Sequence, residues 1–565
     1  MIKDIYPVRA QFLSGQPVEI AVELVNDAVE FKRVTLSFKV NWLDREVNRT
    51  ELRDIALAPN EERVVQVNLG EYTADFKGYG VDLEWAADGG GDAPAGSVST
   101  SFDVVSDWRK STRYGFLSDF HTKDKGDQRD VAWLSKLHIN LVQFYDWMYK
   151  HDDLVPETNE FTDLMGRELN LDVVSEKVGY CHEYGMKAIA YGAVYAASKA
   201  FYEEHKDWAL LQSDGEAYDF IDVFKIMNIA AQSPWHDHII GQYKRAIELV
   251  DFDGIHMDTY GFPKSGISAI DGSLVRLEEH FPVLIDHTRE ALKPSKEDIC
   301  LIFNNVGNWP VHTVARASED AVYIEVWKPY ERYHHLVQII QWAKQWGGGK
   351  PVILAAYLTP FRLESEAIER AEQGALLMTA AIAAQGGYHL LVGEDGGVLT
   401  QAYYADYSTM GSRFIRKLRD YYDFNIRYAN LLYDDRLTDV SMTHADGDNL
   451  EYVFENVEYS TYGEPGKVWT VIRENESFKT ISFINLSNNA EDYWNAGKNR
   501  PSILEGIKVK VLLDRAPKAA FVASPDLDYG RPQPLEFELT RSLRGITLEA
   551  VIPVLEVWNL LTIEL

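Results

Sequence analysis

The chain has few cysteines, few basic residues and no long apolar run. Only two of its 565 residues are cysteines, Cys181 and Cys300, so at most one disulfide can form and a cysteine-based metal site is excluded. Both lie in apolar surroundings, and we expect two buried thiols. No apolar run approaches the roughly 18 residues needed to cross a bilayer, so we expect no association with membranes.

Positive charge is also scarce. The 56 Lys and Arg residues stand against 87 Asp and Glu, which gives a formal net charge of −31. Because such a surface repels phosphate backbones and anionic lipid, we expect no nucleic-acid partner, and a neutral substrate is the simpler expectation. The first residues, Met1 to Ile5, lack the basic segment and the apolar stretch of a signal peptide. We therefore expect a cytoplasmic protein; the alternative is a secreted protein whose leader has been removed.

The length predicts about three domains. Residues 1–107 alternate apolar and polar side chains, as in 18–24, 34–40 and 64–69, and turn residues separate these runs. This pattern predicts an antiparallel β-sandwich, with residues 89–91 (Gly-Gly-Gly) in a loop and a last strand over 98–105.

The pattern changes over residues 108–432, where short apolar runs alternate with helical stretches such as 171–183, 236–250 and 365–384. Eight β-α units in this length predict a (β/α)8 barrel with insertions. A doubly wound sheet is the alternative, but no glycine-rich fingerprint follows the first strand. The eight predicted strands are 114–120, 140–146, 187–195, 254–259, 300–306, 322–327, 351–357 and 388–393.

Residues 433–565 return to strand-like segments and predict a C-terminal antiparallel β-sandwich. The predicted strands include 470–472, 480–484, 509–513 and 551–558.

In (β/α)8 barrels the functional residues lie at the carboxyl ends of the strands. In this sequence the predicted strand ends contain carboxylates, amides, tyrosines and tryptophans, and they contain no Ser-His pair and no phosphate loop. Such a set is typical of a glycosidase, because two carboxyl groups perform the reaction, aromatic rings stack on sugars, and amides bind hydroxyls.

Two carboxyl groups are the candidates for catalysis. Asp258 ends the fourth predicted strand, where His256 and Tyr260 could hydrogen-bond an ionised nucleophile; the alternative is a helix N-cap. Glu325 lies in an aromatic and β-branched run, and desolvation there raises the pKa of a carboxyl as a general acid requires. The alternative for Glu325 is an ion pair with a neighbouring Arg or Lys.

Further residues at the strand ends and in the loops are candidate ligands for sugar hydroxyls or rings. The alternative for each is a structural role, as a helix cap, in a polar network of the barrel or in the core. Trp235 and Trp309 are additional stacking candidates. Histidines 236 and 238, or 334 and 335, have no matched third ligand, so we expect no metal and no cofactor. The candidate substrate-binding residues are Asp119, Tyr145, Asp146, Asn228, His256, Tyr260, Asn304, Trp327, Tyr357 and Glu394.

Three segments, 143–152, 252–261 and 323–327, resemble the dextranases and cycloisomaltooligosaccharide glucanotransferases of glycoside hydrolase family 66. The resemblance implies an N-terminal immunoglobulin-like domain, a catalytic barrel and a C-terminal β-sandwich, in the order predicted above. It also implies cleavage of α-1,6-linked glucan with retention of configuration, with Asp258 as nucleophile and Glu325 as general acid/base.

Cycle-forming members of that family carry a carbohydrate-binding module inserted in the barrel, whereas a single helical stretch, 365–384, joins the last two predicted strands here. The resemblance therefore favours an endo-acting dextranase, with dextran and isomaltooligosaccharides as its partners. The first alternative is a transglycosylase that forms cyclic isomaltooligosaccharides. The second is a carbohydrate-binding protein without catalytic activity.

Overall fold

A computed structural model describes residues 1–87 and 94–565. The predicted glycine loop over 89–91 lies outside the described residues. Among the residues described, no helix combines the length and the apolar character needed to span a bilayer.

Two sheets with one shared apolar core form the N-terminal region. Alternate residues of their strands, such as Val18, Ile20 and Val22 on one sheet and Leu36 and Phe38 on the other, are fully buried in that core. The immunoglobulin-like assignment of this region and its boundary at residue 107 stay predictions. The first sheet has the order Ile2–Pro7, Pro17–Val25, Glu62–Glu71, and the second has the order Phe12–Leu13, Gly96–Val105, Phe76–Ala87, Lys32–Trp42, Arg45–Leu57.

Eight parallel strands in sequential order confirm the predicted barrel sheet. Their residues are buried on both faces, which explains why the runs are continuously apolar. The fifth strand has the predicted bounds, and the others differ from prediction by one to four residues at an end. The strands are Tyr114–Leu117, Leu141–Phe144, Lys187–Ala193, Gly254–Asp258, Cys300–Val306, Ala321–Glu325, Val352–Ala355 and Tyr388–His389.

The seam between the eighth and first strands is closed by a few contacts beyond the regular ladder. The Phe116 amide donates to the Val392 carbonyl at 3.2 Å, and Phe116 pairs with Gly393 in parallel. The Glu394 carboxylate accepts hydrogen bonds from the Ser118 amide, at 3.0 and 3.1 Å, and from the Ser118 hydroxyl at 2.6 Å. These contacts join the end of the last strand to the end of the first.

Helices follow the barrel strands and cover the sheet. The helix Leu171–Glu183 has its predicted bounds. It begins at Leu171 because Asn170 caps its first turn, where the side-chain oxygen accepts from the Asp172 amide at 2.8 Å. Both cysteines are buried free thiols, as predicted. The other α-helices between residues 108 and 432 are Arg129–Lys136, Lys199–Glu204, Pro234–Val250, Leu277–Leu292, Val311–Val314, Tyr333–Gly347, Ile368–Ala384, Ser412–Arg427 and Ala429–Leu432.

Two sheets with a common apolar core also form the C-terminal region. The predicted single strand over 551–558 is wrong, because the chain leaves one sheet at Leu555 and enters the other at Trp558. The sandwich assignment and the boundary at residue 432 stay predictions. The larger sheet contains Thr438–Asp439, Tyr459–Ser460, Val468–Glu474, Phe478–Asn485, Trp558–Glu564, Ala519–Ala523 and Gln533–Pro534, and the smaller contains Tyr452–Glu455, Leu504–Leu513, Gly545–Leu555 and Phe537–Ser542.

Candidate active site

A cavity of about 700 Å³ opens at the carboxyl ends of the barrel strands. Carboxylates, amides and aromatic rings line it together, as the strand ends predict. Its lining includes nine predicted site residues: Tyr145, Asp146, His256, Asp258, Tyr260, Asn304, Glu325, Trp327 and Tyr357.

Strand alternation brings the two predicted catalytic carboxyl groups to this cavity. His256 pairs with Ile302, and Asn304 pairs with Tyr323, across the fourth, fifth and sixth strands. Because alternate residues of a strand share a face, Asp258, Asn304 and Glu325 all point to the barrel interior. Each lies at or near the carboxyl end of its strand.

The Asn304 amide group links the two carboxylates. Its Nδ2 donates to Asp258 Oδ1 at 2.6 Å and to Glu325 Oε2 at 2.8 Å. Because both bonds start from one nitrogen, the separation of these two oxygens cannot exceed the sum of the two distances. That limit falls within the roughly 5–5.5 Å typical of retaining glycosidases and below the roughly 6.5–9.5 Å of inverting ones.

Neutral donors hold each carboxylate in place. Tyr191 Oη donates to Asp258 Oδ2 at 2.6 Å. Glu325 Oε1 accepts from Tyr357 Oη at 2.6 Å and from Trp327 Nε1 at 2.8 Å. The predicted alternative of an ion pair for Glu325 has no support, because no Lys or Arg of the described chain forms a salt bridge with it.

The expected contacts of Asp258 with His256 and Tyr260 are not present. His256 lies deeper in the barrel, where its Nδ1 is hydrogen-bonded to Tyr114 Oη at 2.7 Å. Burial lowers the pKa of His256 to about 3, so the imidazole is neutral. Tyr260 stacks on Phe220 at 4.0 Å instead and forms part of the cavity wall.

Burial disfavours the charged form of both carboxyl groups. It raises the pKa of Asp258 to about 7, and the neighbouring charge of Glu325 adds to the rise. Burial also raises the pKa of Glu325, while the bonds from Tyr357, Asn304 and Trp327 oppose that rise. Each carboxyl group therefore takes up a proton more readily than an exposed carboxyl does, and the charge of Glu325 disfavours ionisation of Asp258.

Aromatic rings form the walls beside this pair. Tyr145 stacks on Tyr404 at 4.4 Å, and Trp327, which is 42% exposed, contacts Tyr357 with ring centres 5.4 Å apart. Such faces can stack on the C–H surface of a pyranose, while the carboxylates and amides bind its hydroxyls. Among the residues with described positions, no group of three or more His, Cys, Asp or Glu could hold a metal ion.

Comparison with known families agrees with this geometry. Residues 8–562 match the family described as Glycosyl hydrolase family 66. The chain belongs to glycosyl hydrolase family 66. This confirms the family resemblance of the three sequence segments and makes the protein a member of a glycosidase family.

The relatives within family 66 include enzymes with two different names. A cycloisomaltooligosaccharide glucanotransferase of Niallia circulans is 22% identical, over 99% of this chain and 71% of the relative. A dextranase of Streptococcus salivarius is 24% identical, over 83% of this chain and 65% of the relative. A crystal structure of a Paenibacillus cycloisomaltooligosaccharide glucanotransferase, complexed with cycloisomaltoheptaose, has a TM-score of 0.89 at 22% identity, over 99% of both chains. The last similarity establishes a common fold.

Three predicted ligands of this family 66 protein lie away from the cavity. Asp119 lines a neighbouring groove of about 390 Å³, which shares Tyr403 with the cavity. Asn228 is fully buried, and its side-chain oxygen accepts from the Ala230 amide at 3.0 Å, so it stabilises a turn. Glu394 closes the barrel seam, as described above. Asn228 and Glu394 therefore form structural hydrogen bonds, and neither residue lines the cavity.

Of the other predicted residues, Asp146 lies in the cavity with φ of 46°, and burial raises its pKa to about 7. Trp235 is fully buried and donates to the Val194 carbonyl at 2.9 Å, which is core packing. Trp309 is absent from the described cavity lining, and its ring lies 3.7 Å from Lys264 Nζ.

Sequence reasoning missed several residues that line the cavity. Tyr191 contacts Asp258, yet it lies two residues before the end of the third strand, and only its alternation with Ala193 could have indicated it. The others come mostly from loops and insertions, whose positions depend on long-range packing. They include Gln143, His151, Phe220, Phe224, Lys264, Lys328, Tyr403 and Tyr404.

Proposed function

We propose that this protein is an endo-acting retaining glycoside hydrolase that cleaves the α-1,6-glucosidic bonds of dextran to isomaltooligosaccharides. The observation that carries the proposal is the Asn304 amide, which donates to Asp258 and Glu325 together and so limits the separation of their carboxylates. This spacing leaves room for direct attack by one carboxylate and too little for a water molecule between carboxylate and sugar.

In the proposed reaction Asp258 is the nucleophile. Its ionised carboxylate attacks the anomeric carbon, while protonated Glu325 gives its proton to the leaving glycosidic oxygen. A covalent β-glucosyl-enzyme forms. Glu325, now a base, takes a proton from water, and the resulting attack releases an α product, so two inversions give net retention.

The cavity residues fit this reaction. We propose that Tyr145, Tyr260 and Trp327 provide stacking faces for glucose units, and that Asp146, His256, Asn304 and Tyr357 contribute polar groups. Asp119, in the adjoining groove, is placed to contact a more distant glucose unit of the chain. The order of an immunoglobulin-like sandwich (1–107), a catalytic barrel (108–432) and a C-terminal sandwich (433–565) is part of the same proposal.

A hydrolase is favoured by the short connection between the last two barrel strands. It contains only a 3-10 turn, Thr359–Arg362, and the helix Ile368–Ala384. The alignment with the Niallia relative spans 708 positions, more than the 565 residues of this chain, so that relative contains segments with no counterpart here. The short connection supports the branch without an inserted carbohydrate-binding module.

A transglycosylase is the second candidate, because two of the relatives and the similar crystal structure are glucanotransferases by name. Chromatography of the products from dextran separates the two candidates. Linear isomaltooligosaccharides as the main products support the hydrolase, and cyclic products support the transglycosylase.

Three measurements test the mechanism. Reducing ends released from dextran report hydrolysis, and wild-type protein that releases neither reducing ends nor cyclic products would be a binding protein. Proton NMR of the first product should show the α anomer, and an initial β anomer would contradict retention. Asp258→Asn and Glu325→Gln should each lose dextran cleavage while their circular dichroism spectra stay unchanged.

A further inference from the structure

Two barrel loops supply the donors that hold one oxygen of Glu325. Trp327 lies two residues after the sixth strand, and Tyr357 lies two residues after the seventh. Both donate to Glu325 Oε1. The orientation of this carboxyl group therefore depends on where these two loops are held.

A segment of the C-terminal region, residues 492–495, contacts the loop after the sixth strand. Trp494 Nε1 donates to the Tyr330 carbonyl at 2.6 Å, and the Trp494 amide donates to the Glu331 carbonyl at 3.1 Å. The Tyr330 amide in turn donates to the Trp327 carbonyl at 2.9 Å, which closes the turn that begins at Trp327. Trp494 is only 3% exposed, so this contact is a buried one.

Further bonds fix the same loop against the segment. The Tyr333 amide donates to the Asp492 carbonyl at 3.1 Å, and the Asp492 carboxylate pairs with Arg332. The Arg332 guanidinium also lies over the ring of Tyr493, 4.5 Å from its centre. The segment therefore contacts the loop from Tyr330 to Tyr333.

The adjacent residue of the segment holds the loop after the seventh strand. The Thr359 amide donates to Asn495 Oδ1 at 2.9 Å, and Asn495 Nδ2 donates to Thr359 Oγ1 at 3.1 Å. Thr359 follows Tyr357 by two residues. Neighbouring residues of one segment thus hold the two loops that carry the donors to Glu325.

We propose that segment 492–495 is a positioning element for the general acid/base, in which Trp494 and Asn495 hold the loops of Trp327 and Tyr357 so that both donors meet Glu325 Oε1. The inference rests on the proposed function, because it requires Glu325 to act as the acid. Among the described residues, neither Trp494 nor Asn495 forms a hydrogen bond with Glu325, so both act through the loops.

The proposal predicts a defect that depends on the leaving group. A sugar oxygen leaves only when it receives a proton, so cleavage of an oligosaccharide needs a well-placed acid. In an α-glycosyl fluoride, Asp258 forms the new C–O bond, the C–F bond breaks, and fluoride leaves with its electron pair without a proton. A loosened Glu325 should therefore slow the first substrate and spare the second.

The test compares kcat/KM for isomaltotetraose and α-isomaltotriosyl fluoride, because kcat/KM reports the step that forms the glycosyl-enzyme. The variants are Trp494→Phe, Asn495→Ala and the double variant. Misplacement of a catalytic group by about 1 Å can cost about 100-fold. We expect the double variant to lose about 10- to 100-fold on isomaltotetraose and less than about twofold on the fluoride, with smaller losses for the single variants.

Two matched controls remove similar groups elsewhere. Trp558→Phe changes a buried tryptophan whose indole nitrogen has no hydrogen-bond partner among the described residues. Asn475→Ala removes a side chain that, like Asn495, takes part in two hydrogen bonds, with the amides of Ser477 and Phe478. Both controls should keep the wild-type ratio of the two kcat/KM values. Asn495 is exposed, so Asn495→Ala tests the proposal even if Trp494→Phe lowers stability.

Glu325→Gln distinguishes the proposed function, in which Glu325 is the acid, from the proposed positioning role of segment 492–495. It should lose isomaltotetraose cleavage far more than fluoride cleavage, and equal losses on both would contradict the proposed function itself. If Glu325→Gln behaves as expected while the 494/495 double variant loses both activities equally, or neither, the positioning role is wrong and the proposed function stands.

Discussion

The fourth barrel strand, Gly254–Asp258, has an aspartate at each end, and the two have opposite surroundings. Asp253, just before the strand, accepts from His182 Nε2 at 2.8 Å and lies 3.2 Å from Lys296 Nζ and 3.6 Å from Lys187 Nζ. Burial alone would raise the pKa of Asp253, but these partners outweigh it and lower the pKa to about 2. At Asp258 the donors are neutral, and burial raises the pKa to about 7.

The sixth strand, Ala321–Glu325, repeats the arrangement. Asp320, just before it, accepts from Arg109 Nε at 2.7 Å and from Arg289 Nη2 at 2.6 Å. Glu325, at the other end, has only neutral donors among the described residues. Removing a buried carboxylate from its cationic partners is costly to the fold, because it leaves their charges uncompensated. A buried carboxylate with only neutral donors has a raised pKa of the kind found in catalytic groups. The comparison separates the stabilising end of the barrel from the reactive end.

The largest expected effect is on activity. Asp258→Asn removes the proposed nucleophile, and we expect a loss of at least about 10⁴-fold in kcat on dextran, since no other group forms the covalent intermediate. Asp253→Asn, at the other end of the same strand, should keep kcat within about fivefold. Reducing-sugar assays on both variants check this. If both variants lost kcat to a similar extent, the proposal that only the carboxyl end of this strand takes part in catalysis would be wrong.

The next effect is on stability. Asp253→Asn leaves Lys187 and Lys296 without their buried partner, and we expect the free energy of unfolding to fall by about 3 kcal/mol at pH 7. Because the pKa of Asp253 is lowered in the fold, its contribution is present above the unfolded pKa of about 3.9 and is lost as pH falls toward 2. Thermal unfolding midpoints of wild type and variant should therefore differ at pH 7, and the difference should shrink as pH falls from about 4 toward 2. A pH-independent difference would argue against ion pairing.

Asp258→Asn should shift stability in the other direction. The raised pKa means that ionising Asp258 costs folding free energy above about pH 7, and this cost disappears below about pH 4, where the group is protonated in both states. We expect the variant to be more stable than wild type by about 1–3 kcal/mol at pH 8, with the gain fading as pH falls. Unfolding midpoints at pH 8 and pH 4.5 measure it, and a variant less stable than wild type at pH 8 would contradict a destabilising carboxylate.

The sequence predicts the barrel well because its strands are buried on both faces and read as continuous apolar runs. For strand Cys300–Val306 and helix Leu171–Glu183 the predicted and observed bounds are the same. The carboxyl ends of the predicted strands also locate Asp258 and Glu325, since barrel topology brings all such ends to one face.

Contacts that depend on pairing between strands cannot be predicted from alternation alone. The run 551–558 has a single charged residue, Glu556, and resembles one strand, although the chain changes sheets between Leu555 and Trp558. Sequence proximity suggests His256 and Tyr260 as the partners of Asp258, yet its side-chain donors come from the third and fifth strands. The register between strands decides which side chains meet, and a single sequence does not reveal it.

The smallest expected effect on activity concerns Tyr191, the hydrogen-bond donor to Asp258 that sequence reasoning missed. Its hydroxyl stabilises ionised Asp258, so Tyr191→Phe should raise the pKa of that carboxyl. Because the nucleophile must be ionised, the acidic limb of the kcat/KM profile should move up by about one pH unit, with about a tenfold loss near pH 6 and a smaller loss at pH 8.

The matched control for this shift is Tyr243→Phe, which removes a buried hydroxyl bonded to the Gly192 carbonyl at 3.2 Å and should leave the limb in place. The titratable groups Glu325, Tyr145 and Tyr260 near Asp258 are unchanged in both variants. A shift seen only in Tyr191→Phe therefore assigns the limb to Asp258, whereas a limb that stays in place in Tyr191→Phe would argue against Asp258 as the ionising nucleophile.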